Sequence, residues 1–276
     1  MKPYQVNAEK VIYFSDYHQN TKWVKNILEL EKGNYDHIIF GGDEFDTHQS
    51  TDKVSNIKET ARFALDLING KFGPSTCLIG NHLVAYAESW YANSKYSHKH
   101  NIFNSCSGFT NSKSMEINKI FKWEDYQKYQ LFCEFGGYLI SHAGFHPSFW
   151  NFYKTREENL ISIWDESKDA LRSISIKPSR LFGCGKARGG KLKHGGPIWC
   201  DFTEEFLHTE EIGPQLIGHT SCHNTVRYKD KSYCCDGQQT TYALLDSSGK
   251  IEFKSTIAGE LNIIEEKGWQ YKGWIN

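Results

Sequence analysis

Five short apolar runs in this chain each stop at a residue able to bind a metal, and that repetition restricts the fold more than any other feature. The runs at 11–15, 38–41, 76–79, 138–141 and 216–217 read as strands, because continuous aliphatic and aromatic stretches of this length suit strands buried on both faces. They end at Asp16-Tyr17-His18, Gly42-Asp43, Gly80-Asn81-His82, His142-Ala143-Gly144 and Gly218-His219-Thr220. In an open α/β sheet, ligands collect at the carboxyl ends of the strands. The endings then converge on one place, bringing together Asp16, His18, Asp43, Asn81, His82, His142 and His219. That set is too large for one zinc and suits two ions sharing a carboxylate.

A chain of 276 residues that is 39% hydrophobic can fill a sizeable core, and one domain over 1–276 is expected. The formal charge of -1 argues against a bulk electrostatic attraction to nucleic acid or to an anionic membrane and leaves room only for a local basic patch. No apolar run reaches the length of a membrane span, and residues 1–7 lack the apolar core of a signal peptide. The eight cysteines are scattered, several inside apolar runs, with no CxxC pair. They read as reduced, buried thiols of a cytoplasmic protein rather than a disulfide framework. Cys222, three residues beyond His219, lies near enough in sequence to approach the site.

Between the runs, the spacing of Trp23, Val24, Ile27, Leu28 and Leu30 predicts a helix over 20–32, and that of Val54, Ile57, Ala61 and Ile68 another over 51–69. Strand, ligand turn and helix repeat as right-handed βαβ units. A third helix is expected over 83–91, a polar and aromatic loop over the site to follow it, and a fourth helix over 114–130. Gly136-Gly137 marks a hairpin, and 148–173 reads as helical. Lid or insert segments are expected at 92–113 and 148–195. The stretch 177–193 has six Lys or Arg and no acidic residue, which by composition is a solvated loop. Runs at 225–228, 233–235, 241–245 and 250–254 follow 216–218 as consecutive strands, with turns at Asp230-Lys231, Asp236-Gly237 and 247–249. They predict an antiparallel second sheet.

Asp16 and His18 sit two apart, so in an extended turn both reach one ion. Asp43 can bridge two ions with its two oxygens. Asn81 offers a neutral oxygen, and His142 and His219 offer imidazoles to the second ion. Oxygen and nitrogen together suit manganese, iron or zinc better than calcium, with manganese favoured. Taken singly, each residue has an ordinary explanation, an Asp as a helix cap or a His as a satisfied core group. Five in order, each after its own apolar run, do not.

These five blocks, with Glu44-Phe45-Asp46 completing the second, resemble those of the calcineurin-like binuclear metallophosphoesterases, closest to the bacterial and phage-type protein phosphatase and diadenosine tetraphosphate hydrolase branch. The blocks span 16–220, and 233–246 resembles the family's closing hairpin. The resemblance implies a four-layer αββα sandwich with two mixed sheets and two divalent ions between them. Asp16, His18 and Asp43 would hold the first ion, and Asp43, Asn81, His142 and His219 the second. His82 would be the acid at the leaving group, oriented by Asp46, which could otherwise simply cap the following loop. The implied reaction is phosphoester hydrolysis by a metal-bridging hydroxide, on a phosphomonoester of a phosphoprotein or nucleotide.

Two departures from the family's pattern matter. Asp46-Thr47-His48 stands where the phosphatase branch commonly has Asp-Arg-Gly, and Ile79 precedes Gly80 where an arginine is frequent. The glycine-rich basic stretch, with Arg188-Gly189-Gly190 and then Gly195-Gly196-Pro197-Ile198-Trp199, resembles a segment that precedes the last metal motif in some phage-type members. It raises Arg188 to a phosphate contact, since a guanidinium grips phosphate in a bidentate fork. The missing arginines leave a phosphodiesterase or pyrophosphohydrolase acting on dinucleotides or cyclic nucleotides as the alternative, and an inactive binding module as a third reading.

Overall fold

A computed structural model describes residues 2–47, 54–95, 106–174, 176–207, 211–223, 225–229, 231–257 and 261–265. Strands β1 (Lys10–Phe14), β2 (His37–Phe40) and β3 (Ser75–Cys77) run parallel, separated by helices α1 (Thr21–Leu30) and α2 (Val54–Ile68). Helix α1 starts where the Asn20 side chain accepts from the Trp23 amide at 3.1 Å, satisfying a donor that the helix itself cannot. Helix α3 (Asn81–Lys95) begins two residues earlier than its periodicity predicts, so that Asn81 and His82 lie in its first turn.

Beyond α3 the predicted single helix is broken into α4 (Asn111–Asn118) and α5 (Trp123–Tyr126). No glycine or proline marks the break. The chain turns after Asn118 so that Phe121 enters the core against Phe45 and Tyr126, and the Asp125 carboxylate restarts the helix by accepting from the Lys122 amide at 2.9 Å. The Gly136-Gly137 hairpin is present, joining β4 (Phe132–Phe135) to β5 (Tyr138–Ser141) with both glycines at positive φ. Helix α6 (Arg156–Arg172) starts later than expected, at a capping box in which Thr155 and Glu158 each bind the other's amide. The segment before it holds one 3-10 turn, Pro147–Phe149.

The last strands are β6 (Gln215–Ile217), β7 (Thr225–Lys229), β8 (Ser232–Cys234), β9 (Thr241–Asp246), β10 (Ile251–Ser255) and β11 (Asn262–Glu265). They do not form the antiparallel sheet that their order in the chain predicts. The two sheets run β10-β9-β1-β2-β3 and β11-β7-β8-β6-β5-β4, so β9 and β10 return to the first sheet while β6 and β8 lie parallel within the second. Asp236-Gly237 is therefore a crossover between sheets, and of the predicted turn at Asp230-Lys231 the first residue lies outside the described residues.

The period of two along each strand explains the layers. Ile12, Phe14, Ile38, Phe40, Tyr242 and Leu244 pack with the helices on one side of the first sheet, while Val11, Tyr13, Ile39, Ala243 and Leu245 pack with Cys133, Phe135, Ile140 and Leu216 of the second. On the far side of the second sheet, Phe132 meets Trp164 of α6 at 5.9 Å. The result is helix, sheet, sheet, helix, the αββα sandwich. Phe14, fully buried between Trp23 and Phe40, belongs to the class of residues whose truncation to alanine costs about 3–5 kcal/mol. All eight cysteines are free thiols. No described helix is long and apolar enough to cross a membrane. Of the segment 92–113, residues 96–105 lie outside the described residues.

Just past the end of β5, His146 stacks on His194 at 3.7 Å and is 6% exposed. Burial, then the His194 and Lys193 charges, push its pKa down to about 4. Its Nδ1 accepts from the Ser148 amide, as a neutral ring does. The unfolded chain, with this imidazole near 6.5, binds a proton that the fold refuses. This group's effect on stability is therefore absent well above pH 6.5 and grows to a loss of up to about 3 kcal/mol as pH drops toward 4. Urea unfolding across that window should show the slope in the wild type and a shallower one in His146→Asn; equal slopes would count against it.

Candidate metal centre

The seven residues at the strand endings do meet. Asp16 and His18 follow β1, Asp43 follows β2, Asn81 and His82 open α3 after β3, His142 follows β5 and His219 follows β6. Two sheets therefore contribute to one cleft of about 920 Å³, whose walls include Asp16, His18, Asp43, Asn81, His82 and His219. Asp16, His18, Asp43, Asp46 and His219 all have φ between 40° and 65°. Left-handed backbone is uncommon outside glycine, and Asp and His tolerate it better than most. At a strand end it turns the side chain out of the pleat and into the cleft.

Glycine precedes Asn81 and His219 for a steric reason. A Cβ on Gly80 would sit 2.1 Å from Asp43 Oδ1, and one on Gly218 would sit 2.2 Å from Asp16 Oδ2. The bare backbone lets neighbouring strand ends approach closely enough to share an ion.

Two groups of donor atoms result. Asp16, His18 and Asp43 form one, and Asp43, His142 and His219 the other, with all ligand atoms of each group within 4.8 Å of one another. Asp43 belongs to both. The Nδ1–H of His18 donates to the carbonyl of Asp46 at 3.1 Å, which turns Nε2 toward Asp16 Oδ1 at 4.0 Å. His142 Nδ1–H donates to the carbonyl of Gly41 at 2.8 Å. His142 Nε2 then faces Asn81 Oδ1 and His219 Nδ1, each at 3.1 Å, and Asp43 Oδ2 at 3.3 Å. With Nδ1 protonated, a neutral His142 turns a lone pair on the Asn81 and Asp43 oxygens, an arrangement that a cation among them would resolve. The residues fit a pair of divalent ions on these grounds.

The electrostatics agree. Burial alone would raise the Asp43 pKa, but the His142 and His82 charges outweigh it and hold the carboxyl well below the usual range. Burial opposes charge on His142, yet Asp43 and Asp16 overcome it and bring its pKa up to about 9. In the absence of an ion, a proton answers the same negative potential. His219 is driven the other way, kept neutral by burial and by the charge on His142.

His82 sits beside the shared carboxylate. Its amide donates to Asp43 Oδ1 at 3.1 Å, and its Nδ1–H to Asp46 Oδ2 at 2.9 Å. Asp46 Oδ1 accepts from Tyr86 Oη at 2.6 Å and from the buried Lys113 Nζ at 2.9 Å. It is therefore a hub for His82, and the loop it could otherwise cap, from 48 on, lies outside the described residues. Arg188 lies on the cleft wall in the 3-10 turn Lys186–Arg188, which makes the basic stretch ordered there. Its Nη2 donates to Thr220 Oγ1 at 2.9 Å, and Asp201 Oδ2 stands 2.7 Å from Nε, off the N–H direction, as an ionic contact. Thr47 is also on the wall, whereas Ile79 is buried in the core and faces no ligand. Cys222 turns away, donating to the Thr220 carbonyl in a small core with Phe202 and Phe206.

Sequence reasoning misses several residues here. Lys113, in the polar run Asn111-Ser112-Lys113-Ser114, carries no signal that it will be 4% exposed. Cys106, Trp199, Asp236, Gln238 and Gln239 also line the cleft. Asp236 comes in because the chain crosses between sheets at that point.

No family model matches this sequence, and no curated protein does. By fold the chain is similar to a cold-active protein-tyrosine phosphatase of a psychrophilic Shewanella sp., with TM-score 0.52 and 15% identity over 92% of this chain and 83% of that one. A further structure of a cold-active protein tyrosine phosphatase gives 0.54 and 15% over 92% and 80%. A metallophosphoesterase from Sphaerobacter thermophilus superposes more loosely, at 0.41 and 13% over 91% and 89%. At these identities the likeness is one of fold.

Loading the site must expel the proton that His142 carries below about pH 9. Uptake of a divalent ion near neutral pH should release about one proton, and affinity should weaken roughly tenfold per unit as pH falls. Calorimetry in buffers of different ionisation enthalpy measures the release. Uptake with no proton release and no pH dependence between about 6 and 8 would refute this account of His142.

Proposed function

We propose that this chain, which has the calcineurin-like metallophosphoesterase fold, is a two-metal phosphoester hydrolase acting on a phosphomonoester of a phosphoprotein or nucleotide. The observation that carries this is the pair of donor groups joined at Asp43. Asp16, His18 and Asp43 would hold one ion and Asp43, Asn81, His142 and His219 the other, with manganese favoured over iron or zinc by the nitrogen and oxygen donors. Bound there, the ions supply a nucleophile at neutral pH and neutralise charge on the phosphoryl oxygens.

The remaining work falls to this chain's side chains. His82, its Nδ1 held by Asp46, presents Nε2 toward the cleft and gives a proton to the leaving oxygen as its bond to phosphorus breaks. Arg188, braced by Asp201 and Thr220, positions a phosphoryl oxygen. The cleft volume is large enough for a nucleotide-sized substrate. We place the enzyme in the cytoplasm, on the strength of its eight free thiols.

One observation favours a diester or pyrophosphate substrate instead. Thr47 occupies a wall position where the phosphatase branch commonly has an arginine, and a diester carries less charge to be met.

Hydrolysis of p-nitrophenyl phosphate and of bis-p-nitrophenyl phosphate with manganese separates the two. Activity on the monoester should dominate, vanish with chelator and be lost in Asp43→Asn together with metal content. His82→Asn should keep the metal and slow phenyl phosphate by roughly 10²- to 10⁴-fold, with a smaller loss on the activated ester. No manganese-dependent turnover of either ester would defeat the proposal. For Arg188→Ala, kcat/KM should fall about tenfold or more at unchanged metal content, with partial recovery in Arg188→Lys. Wild-type kinetics in Arg188→Ala would move phosphate recognition elsewhere.

A further inference from the structure

We propose that Asp46, His82 and Cys106 form a third cation site, selective for a thiophilic divalent ion such as zinc or cadmium. It lies beside the two donor groups at Asp43 and shares no ligand with them. Nothing in it depends on the hydrolytic activity.

The three ligand atoms, a carboxylate oxygen, an imidazole nitrogen and a thiol sulfur, lie within 4.8 Å of one another. Asp46 Oδ2 is 2.9 Å from His82 Nδ1 and 3.7 Å from Cys106 Sγ, which donates to it. A tetrahedral zinc, with bonds of about 2.0–2.3 Å, sets its ligands roughly 3.2–3.7 Å apart. The oxygen and nitrogen need only separate by a few tenths of an ångström to admit it.

Three further features favour a site over a chance cluster. Asp46 Oδ1 is tied down by Tyr86 Oη and by Lys113 Nζ, which itself donates to the Gly108 carbonyl at 2.7 Å. That anchoring points Oδ2 at His82 and Cys106, the outer support that metal sites characteristically have. His82 and Cys106 both line the cleft, so a fourth position is open to water and an entry path exists. The sulfur separates this donor set from the nitrogen and oxygen sets around Asp43, which suit harder ions.

Binding is a proton exchange with no redox step. The cation displaces the thiol proton of Cys106 and the Nδ1 proton of His82, both to solvent, and binds the thiolate and the Nδ1 lone pair while Nε2 keeps its own proton. His82 is then held by the cation instead of by Asp46 alone. A thiophilic ion in excess would thus act on the residue assigned above as the acid, from a site that manganese leaves untouched.

Cobalt reports thiolate ligation directly, through a sulfur-to-metal charge-transfer band in the near ultraviolet that nitrogen and oxygen ligands do not produce. Cobalt titrated into the reduced, full-length protein should give this band as binding proceeds past two equivalents. Cys106→Ser and Cys106→Ala should abolish it, with a loss of third-site zinc affinity of at least about tenfold by competition with a chromophoric chelator. Cys184→Ser is the control. That thiol also lines the cleft but donates to the Gly185 and Arg188 carbonyls, so the band should persist. No band in the wild type, a band that survives both Cys106 variants, or one lost equally in Cys184→Ser overturns the proposal.

Discussion

A single buried carboxylate, Asp43, is required by both donor groups, and the surrounding structure is arranged to hold it in place. It stands at the end of β2 in left-handed backbone, 2% exposed, with one oxygen taking the His82 amide at the start of α3 and the other facing His142 across the cleft. Burying an isolated carboxylate costs several kcal/mol. Here the histidines around it reverse that penalty and hold it ionised. Such a concentration of acceptors is stable only with positive charge among them, either protons or metal ions.

That requirement reaches into the fold. Asp43 and Asp16 come from the first sheet, and His142 and His219 from the second, so the site exists only if two sheets face each other with their strand ends aligned. The strict division of each strand into helix-facing and sheet-facing residues, Phe14 and Ile12 against Tyr13 and Val11, builds that stack. Replacing Gly80 or Gly218 by any larger residue would push apart the strand ends that the sandwich brings together.

Around His82 the same economy of buried charge recurs. Asp46 gathers donors from Tyr86, Lys113, His82 and Cys106, drawn from α3, α4 and the segment before α4. Removing Lys113 would take one of the charged partners from the buried Asp46, leaving His82 and Tyr86 to hold its carboxylate. His82 is oriented by elements that close over the cleft from outside the strand endings. Its environment is set by tertiary structure, although its identity is plain from Gly80-Asn81-His82.

The convergence of the candidate ligand residues was legible because each follows its own strand, and an apolar run that stops at an Asp, Asn or His is a local signal. The βαβ order, the Gly136-Gly137 hairpin and the αββα architecture were legible for similar local reasons, the last through resemblance. The break between α4 and α5 was hidden because Phe121 turns inward for a core that the sequence does not display. Sheet membership was hidden too: β9 reads like any strand after β8, and only its pairing with β1 carries it back to the first sheet and Asp236 into the cleft. Lys113 and Cys106 became neighbours of Asp46 through contacts across 67 and 60 positions. By itself the sequence determined which residues could bind metal and which strands deliver them. The tertiary structure decided which side chains surround His82, because contacts between distant segments depend on packing that no local pattern encodes.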